Sequence, residues 1–280
     1  MKKYLIFALC CMFALLSCTS DGADKPSDIP GTAPLDAGSY DTDESDLPVC
    51  ESLVAHAGGD VWGYRLTNSL EALDEAYDNG FTVIELDFER TSDGKYVLLH
   101  DWDSMAERML LSAGVLTHGE FMSADAFASL TLMDLEMLLA WLAEHKECRI
   151  ITDAKCGNDP FLADLCSAAG EMRDRFIPQA YSYEDYAYAK DAGFGDVILT
   201  LYRMGDVSAD ELTAFAEENK PWAVTIPKAN LSEELLGRLS SVGIRTYAHT
   251  VNDLSFYEQW KACGLYGIYT DYFCPVGWQY

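Results

Sequence analysis

Basic residues are scarce in this sequence. Its 280 residues include 19 Lys and Arg against 46 Asp and Glu, which gives a formal net charge of −27. Nucleic-acid binding depends on Lys and Arg that neutralise phosphates, so we expect no nucleic-acid partner. The sequence also lacks an apolar run of ~20 residues, the length that a membrane-spanning helix needs. Glycine-rich dinucleotide loops and paired Cys-x-x-Cys motifs are absent too, which argues against a dinucleotide-binding fold and a structural zinc site.

Apolar residues, by contrast, are abundant. Hydrophobic residues make up 49% of the chain and charged residues 23%. Both fractions are close to those of ordinary globular proteins, so a mostly disordered or collagen-like chain is excluded. The length suits one large domain or two small ones, with enough residues to bury a sizeable core.

The first residues have the layout of a secretory signal. Two lysines precede an apolar run over residues 4–16, and small residues follow. The end of the segment, Leu-Leu-Ser-Cys18, resembles the lipobox of bacterial lipoproteins, in which the cysteine is lipidated. This resemblance implies a signal peptide at 1–17, a lipid anchor on Cys18 and a location in the bacterial cell envelope, either periplasmic or on the outer surface. An ordinary cleaved signal, or an uncleaved anchor with Cys18 incidental, is the alternative.

Residues 18–48 differ in composition from the rest of the chain. They are rich in Asp, Ser, Gly, Pro and Thr and contain almost no large apolar side chains. Such a segment cannot bury enough surface to offset its ordering entropy. We therefore predict an acidic flexible tether over 18–48 and a folded domain over 49–280.

Six cysteines fall within that domain: Cys50, Cys148, Cys156, Cys166, Cys263 and Cys274. An exported chain with an even number of cysteines permits disulfides, but the sequence does not choose among the possible pairings. Buried thiols are the alternative for some of them.

Short β-branched or apolar runs alternate with longer helical patterns along the domain. We predict strands at 53–56, 82–88, 149–154, 176–180, 197–201, 222–226, 245–249 and 267–270. Helical patterns lie between them, for instance at 69–78, 132–144, 160–173, 209–218, 233–241 and 255–262. Strands separated by helices predict parallel βαβ units, and their number matches an α/β protein of the (β/α)8 TIM-barrel class. A doubly wound open sheet is the alternative.

One run breaks this rhythm. Residues 96–100 follow the second strand after only Thr91-Ser92-Asp93-Gly94, which is too short for a parallel crossover. Asp-Gly is typical of hairpin turns. We therefore predict an antiparallel β-hairpin after strand 2, with His100 opposite Glu85 or Asp87. Residues 101–131 then form a small insertion near the active-site face.

Carboxylates gather at the C-terminal ends of the predicted strands, where the active sites of TIM barrels lie. Because side chains alternate along a strand, Glu85 and Asp87 point into the barrel, as do Asp153 and Lys155 on another strand. Three ionised carboxylates do not lie together without a cation, and oxygen ligands suit Ca²⁺ or Mg²⁺. The alternative is an ion network in which each acid pairs with a neighbouring lysine or arginine.

An ordered set of motifs between residues 53 and 275 resembles that of the glycerophosphodiester phosphodiesterases. The motifs are His56-Ala57-Gly58, Asn68-Ser69-Leu70-Glu71-Ala72, Glu85-Leu86-Asp87, Thr91-Ser92-Asp93-Gly94, His100-Asp101, Thr152-Asp153-Ala154-Lys155, His249-Thr250-Val251-Asn252-Asp253 and Gly267-Ile268-Tyr269-Thr270-Asp271. The resemblance implies a TIM-barrel enzyme that hydrolyses glycerophosphodiesters to an alcohol and glycerol phosphate. It also implies the roles of the site residues, with His56 and His100 as the acid–base pair, Glu85, Asp87 and Asp153 as ligands of Ca²⁺ or Mg²⁺, and Lys155 on the phosphate.

The sequence departs from this pattern at Ala57, where the family usually has arginine, so one phosphate-binding guanidinium is missing. Arg65 and Arg203 are candidate substitutes, and Trp102 and Tyr202 are candidate walls of the substrate pocket. Two alternatives remain: a phosphodiesterase similar to phosphatidylinositol phospholipase C, and a surface lipoprotein that binds phosphorylated ligands without turnover. In each case we expect a monomer that takes a small phosphodiester and meets the membrane only through its lipid anchor.

Overall fold

The computed structural model of this protein describes residues 50–275. The predicted signal peptide at 1–17, the lipidation candidate Cys18 and the predicted tether at 18–48 lie outside the described residues and stay predictions. Within 50–275, no helix combines the length and the apolarity that crossing a bilayer would require.

The described chain forms one sheet, most of which closes into a barrel. Its strands are β1 (Leu53–Ala55), β2 (Val83–Arg90), β3 (Tyr96–Leu98), β4 (Arg149–Ala154), β5 (Phe176–Ala180), β6 (Ile198–Thr200), β7 (Ala223–Pro227), β8 (Thr246–His249) and β9 (Gly267–Thr270). All strands except β3 run parallel to their neighbours, and β1 pairs with both β9 and β2, which closes the ring. The predicted (β/α)8 barrel is confirmed.

Helices connect successive strands of the barrel. They are α1 (Leu70–Asp78), α2 (Ser104–Arg108), α3 (His118–Met122), α4 (Leu135–Glu144), α5 (Asn158–Ala169), α6 (Tyr183–Asp191), α7 (Ala209–Asn219), α8 (Glu233–Ser241) and α9 (Leu254–Ala262). Most begin after a Ser, Thr or Asp whose side chain accepts a backbone N–H, as Ser69 does from Ala72. The outward faces of the strands pack beneath them, and Ile84, Leu86 and Phe88 of β2 are fully buried there. Burial of each such side chain stabilises the fold by about 1.5–3 kcal/mol.

The inside of the barrel is built in layers. One apolar layer takes a single residue from each barrel strand: Val54, Val83, Ile151, Ile177, Ile198, Ala223, Tyr247 and Tyr269. Two positions further along each strand, the side chains that face the same way are all polar: His56, Glu85, Asp153, Gln179, Thr200, Thr225, His249 and Asp271. The apolar layer is therefore the floor of a polar mouth at the C-terminal ends of the strands.

Strand β3 forms the predicted antiparallel hairpin with the far end of β2, but the register differs from the prediction. Phe88 lies opposite Leu98, so the expected pairing of His100 with Glu85 or Asp87 is wrong. The turn takes up residues 91–95 where the prediction allowed 91–94, and this extra residue shifts the pairing by one. Because β3 also ends two residues before His100, strand alternation does not set the direction of that side chain.

The insertion at 101–131 has an apolar cluster of its own. Met105 of α2, Met109 directly after α2 and Phe121 of α3 pack in one cluster with Leu99 and Leu132, which lie at the two ends of the insertion. This packing holds the insertion beside the β2–β3 hairpin.

Free thiols are found at Cys50, Cys148, Cys156, Cys166 and Cys263. Cys148 is fully buried, and burial raises the pKa of its thiol to about 12, so it remains a protonated, unreactive packing group. For these five residues the alternative of simple thiols describes the structure.

Candidate active site

Glu85, Asp87 and Asp153 converge at the mouth of the barrel. One carboxylate oxygen from each lies within 4.8 Å of the other two. The sheet itself produces this arrangement, because Asp87 of β2 and Asp153 of β4 lie opposite each other in the parallel ladder. All three side chains are buried, with 1% to 7% of each residue exposed.

Charge in this cluster is incompletely balanced. Lys155 Nζ lies 3.0 Å from Asp87 Oδ1 and 2.8 Å from Asp153 Oδ2, whereas Glu85 accepts the Ala57 backbone N–H at 2.8 Å. Burial, followed by the charge of Asp87, raises the pKa of Glu85 to about 8. Glu85 has no ion pair among the described residues, so an ion network in which each acid pairs with a lysine or arginine does not account for it. The set of hard oxygen donors fits a divalent cation such as Ca²⁺ or Mg²⁺.

Asn68 holds Asp87 through two hydrogen bonds. The amide Nδ2 donates to Asp87 Oδ2 at 2.9 Å, and Asn68 Oδ1 accepts the backbone N–H of Asp87 at 2.9 Å. Asn68 has a positive φ of 51°, a conformation that asparagine adopts more readily than most residues. Sequence reasoning assigned Asn68 to a motif without a role, because nothing along the chain brings residue 68 close to residue 87.

His56 is paired with an acid from the last strand. Its Nδ1 lies 2.8 Å from Asp271 Oδ1, and Asp271 Oδ2 accepts a hydrogen bond from Asn252 at 2.6 Å. Burial acts to lower the pKa of His56, but the hydrogen bond to Asp271 and the charge of Glu85 outweigh it and raise this pKa to about 9. In the cation-free protein His56 is therefore protonated at neutral pH. Asp271 has no predicted role, although it stands at the end of a strand, two residues after an inward tyrosine.

His100 repeats this pattern on the other side of the mouth. Its Nδ1 lies 2.8 Å from Asp101 Oδ2. Burial acts to raise the pKa of Asp101, but hydrogen bonds from His100 and the Met105 backbone hold it at about 2. The preceding residue, Leu99, donates its backbone N–H to the Asp87 carbonyl oxygen at 3.2 Å, which fixes His100 at the rim beside the acids. Its side chain is one-third exposed and makes no hydrogen bond to Glu85, Asp87 or Asp153.

Two tyrosines and an arginine surround Asp153. Tyr181 donates its hydroxyl to Asp153 Oδ1, and the Tyr202 hydroxyl lies 3.4 Å from both carboxylate oxygens. Arg203 Nη2 lies 4.0 Å from Asp153 Oδ1, and its guanidinium stacks over Tyr181 and Tyr202, 4.2 and 5.0 Å from the ring centroids. Of the predicted substrate-binding residues, Arg203 and Tyr202 thus reach the cluster together with Lys155. Tyr181 was missed, although it continues the inward face of Ile177.

Arg65 and Trp102 lie elsewhere. Arg65 Nη1 is 3.5 Å from Asp271 Oδ2, so it approaches the His56 pair and not the three carboxylates. Trp102 packs edge-on against Phe121 of the insertion, with ring centroids 5.8 Å apart, and its predicted role as a wall of the substrate pocket stays a prediction.

His249 adds an uncharged polar group to the mouth. Its ring lies between Tyr202 and Tyr269, with centroids 5.5 and 6.2 Å away, and its buried Nε2 has no hydrogen-bond partner among the described residues. Burial and the charge of His56 lower the pKa of His249 to about 4. It is therefore neutral where His56 is charged.

The closed barrel and this ring of polar side chains define a TIM-barrel enzyme whose mouth combines a cluster of three carboxylates with two acid-paired histidines. Comparison with known proteins indicates which kind of TIM-barrel enzyme this chain resembles. Residues 61–178 match the glycerophosphoryl diester phosphodiesterase family. This part of the chain is similar to that family, and the comparisons indicate a phosphoric diester hydrolase. The matched range contains the three carboxylates, whereas His56 and Asp271 lie outside it.

Relatives extend the similarity over most of the chain. YhdW of Bacillus subtilis (strain 168), named as a candidate glycerophosphodiester phosphodiesterase, is 24% identical over 238 residues, which is 79% of this chain and 94% of YhdW. The crystal structure of a glycerophosphodiester phosphodiesterase from Thermotoga maritima superposes with a TM-score of 0.61 at 20% identity and covers 79% of this chain and 94% of its own. A phosphodiesterase from Oleispira antarctica, solved with its product sn-glycerol-3-phosphate, gives 0.63 at 17% identity, with 81% and 94% covered. At these identities the solved structures establish the fold.

Proposed function

We propose that this protein hydrolyses glycerophosphodiesters to an alcohol and glycerol phosphate, with Ca²⁺ or Mg²⁺ as its cofactor. The observation that carries the proposal is the buried set Glu85, Asp87 and Asp153, whose carboxylate oxygens lie within 4.8 Å of one another. The sn-glycerol-3-phosphate found with the Oleispira antarctica phosphodiesterase supports the choice of substrate.

The charged residues of the mouth suit an anionic phosphodiester. Glu85, Asp87 and Asp153 would hold the cation, which when bound would neutralise charge on the phosphate oxygens. Lys155 and Arg203 approach the same cluster from β4 and from the turn after β6. We propose that they bind phosphate oxygens and stabilise the charge that develops in the transition state. The aromatic stacking of Arg203 restricts its side chain and orients its guanidinium toward the mouth.

The two histidines divide the proton transfers. We propose that protonated His56, held by Asp271, gives its proton to the leaving alkoxide. His100, oriented by Asp101 through Nδ1, takes the proton of the attacking oxygen at its other ring nitrogen. An acid bound to Nδ1 fixes the orientation of each ring and stabilises the imidazolium form. Neither histidine Nε2 has a hydrogen-bond partner among the described residues, so both nitrogens are available to substrate.

A direct assay tests the function. The full-length protein is incubated with glycerophosphoethanolamine, glycerophosphoserine, glycerophosphoglycerol and phosphatidylinositol, with Ca²⁺, with Mg²⁺ or with EDTA. We expect release of alcohol from the glycerophosphodiesters that EDTA abolishes. Ligand binding without release from any substrate would instead favour the non-catalytic lipoprotein, and release from phosphatidylinositol alone would favour the phospholipase C-like alternative.

Cation affinity should depend on pH because Glu85 must lose a proton to become a ligand. The pKa of Glu85 is about 8 in the cation-free protein, so below that pH each bound cation displaces a proton. The dissociation constant for Ca²⁺ should then fall about tenfold per pH unit up to about pH 8 and level off above it. Calorimetric titration in buffers of different ionisation enthalpy measures both the affinity and the proton released. An affinity that stays constant across this range contradicts the assignment of Glu85 as a ligand.

We also propose that Cys18 carries a lipid that anchors the enzyme in the bacterial cell envelope, on the strength of its lipobox-like context. Membrane fractionation of the wild-type protein and of Cys18→Ser in a bacterial host tests this point. The wild type should require detergent for its release, and equal release of the two proteins would refute the anchor.

A further inference from the structure

A cavity of about 230 Å³ lies between the loop after β1 and the insertion. Its lining includes Tyr64, Arg65, Met105, Arg108, Met109 and Phe127. Two arginines from separate parts of the chain therefore face one small space, in a protein whose formal net charge is −27. Nothing in the proposed reaction at the scissile phosphate accounts for this pair.

Arg65 connects the cavity to the catalytic histidine. Its guanidinium lies 3.5 Å from Asp271 Oδ2, and the other oxygen of Asp271 lies 2.8 Å from His56 Nδ1. Because we propose His56 as the proton donor to the leaving alkoxide, the leaving alcohol must lie on this side of the scissile phosphate. The cavity is therefore next to the part of the substrate that departs.

Arg108 supplies a positive charge that the protein does not neutralise. Its Nη2 donates to the Arg65 carbonyl oxygen at 3.5 Å, and its Nη1 lies 3.1 Å from Met105 Sδ. Among residues 50–275, no carboxylate comes within ion-pairing distance of this guanidinium. A guanidinium offers several N–H donors in a planar fork that matches the two oxygens of a carboxylate.

The walls and the volume of the cavity limit the size and chemistry of the group that it can bind. Met105 and Met109 are buried, and Tyr64 packs edge-on against Phe127 with ring centroids 4.7 Å apart. Arg108 itself is exposed, so an anion can reach its guanidinium from solvent. The volume lies below the ~300–1,000 Å³ of typical ligand pockets, so it suits a short group and excludes a whole sugar or an acyl chain.

We propose that this cavity binds a carboxylate on the leaving alcohol, so that the enzyme favours glycerophosphodiesters with a small anionic head group over those with a cationic amine alone. The inference rests on the proposed function and adds a preference among its substrates. Arg108 contributes the guanidinium, and Arg65 links this subsite to Asp271.

Glycerophosphoserine and glycerophosphoethanolamine test the proposal because they differ by one carboxylate. With the full-length protein and its cation, kcat/KM should be higher for glycerophosphoserine. Arg108→Gln should reduce the ratio of the two kcat/KM values about tenfold, and Arg108→Lys, which keeps the charge but not the fork, should reduce it less. Arg173→Gln is the matched control, because Arg173 pairs with Asp174 in a short turn outside the mouth and its loss should leave the ratio unchanged.

The possible outcomes separate the inference from the function beneath it. Cleavage of both substrates at similar kcat/KM, or a preference for glycerophosphoserine that Arg108→Gln retains, overturns the carboxylate subsite and leaves the hydrolase intact. Cleavage of neither substrate overturns both. A ratio that falls in Arg108→Gln, falls less in Arg108→Lys and persists in Arg173→Gln supports the subsite.

Discussion

His56→Ala and His100→Ala are each expected to lower kcat by ~10²–10⁴-fold, the usual contribution of a general acid or base. The two losses have different chemical origins. Without His56, the leaving alkoxide departs unprotonated, whereas without His100 the attacking oxygen keeps its proton. Steady-state kinetics on a glycerophosphodiester measures both effects.

A substrate with a better leaving group separates the two roles. In a 4-nitrophenyl phosphodiester the leaving group is 4-nitrophenolate, a stable anion that needs no proton. This substrate should therefore restore much of the rate to His56→Ala and little to His100→Ala. His145→Ala is the control, since His145 ends α4 and stacks on Trp141 with ring centroids 3.9 Å apart. Equal restoration in both site variants contradicts the division of roles, and near-normal rates with either substrate remove that histidine from the mechanism.

Strand alternation explains why so much of the site follows from the sequence. The barrel has one inward residue at each level of each strand, so Glu85, Asp87 and Asp153 are assigned to its interior once the strands are located. Strand boundaries are marked by β-branched runs, and the bounds of β4, β5 and β9 agree with the prediction. Sequence periodicity is thus sufficient to predict which side chains point into the barrel wherever the strand backbone is regular.

The features that sequence reasoning missed depend on irregular backbone or on distant pairing. The register of the hairpin rests on a single residue in its turn, which periodicity within the strands does not specify. Asn68 reaches Asp87 from a loop in a left-handed conformation, and Asp271 reaches His56 across more than two hundred residues. Helix α6 was not singled out either, because its alternation of alanine and tyrosine gives little contrast between two faces.

Ala57 is the residue whose meaning the structure changes most. From sequence it is a lost guanidinium and the motive for a non-catalytic hypothesis. In the structure its backbone N–H donates to Glu85, at a positive φ of 50°, and Arg203 brings a guanidinium toward Asp153 from the turn after β6. Alanine at position 57 therefore leaves Glu85 held by a backbone hydrogen bond and leaves a guanidinium close to the carboxylate cluster.

Glu85→Gln is expected to remove cation dependence together with activity. Glutamine has nearly the same shape and can still accept the Ala57 N–H, so the change removes a charge with little repacking. The affinity for Ca²⁺ or Mg²⁺ should fall at least ~10²-fold, because a buried anionic ligand becomes neutral. Glu75→Gln on the exposed face of α1 is the matched control and should bind the cation normally.

Glu85→Gln should increase the stability of the cation-free protein, although it lowers activity and cation affinity. In the cation-free protein, Glu85 is a buried carboxylate whose pKa is raised to about 8 by burial and by Asp87, so folding carries a cost that glutamine avoids. In EDTA, Glu85→Gln should therefore be more stable than the wild type by about 1–3 kcal/mol near neutral pH. Added Ca²⁺ or Mg²⁺ should raise the free energy of unfolding of the wild type and leave the variant unchanged. Urea unfolding with and without the cation measures both effects. If Glu85→Gln is less stable than the wild type in EDTA and is still stabilised by the cation, Glu85 contributes to packing and not to cation binding.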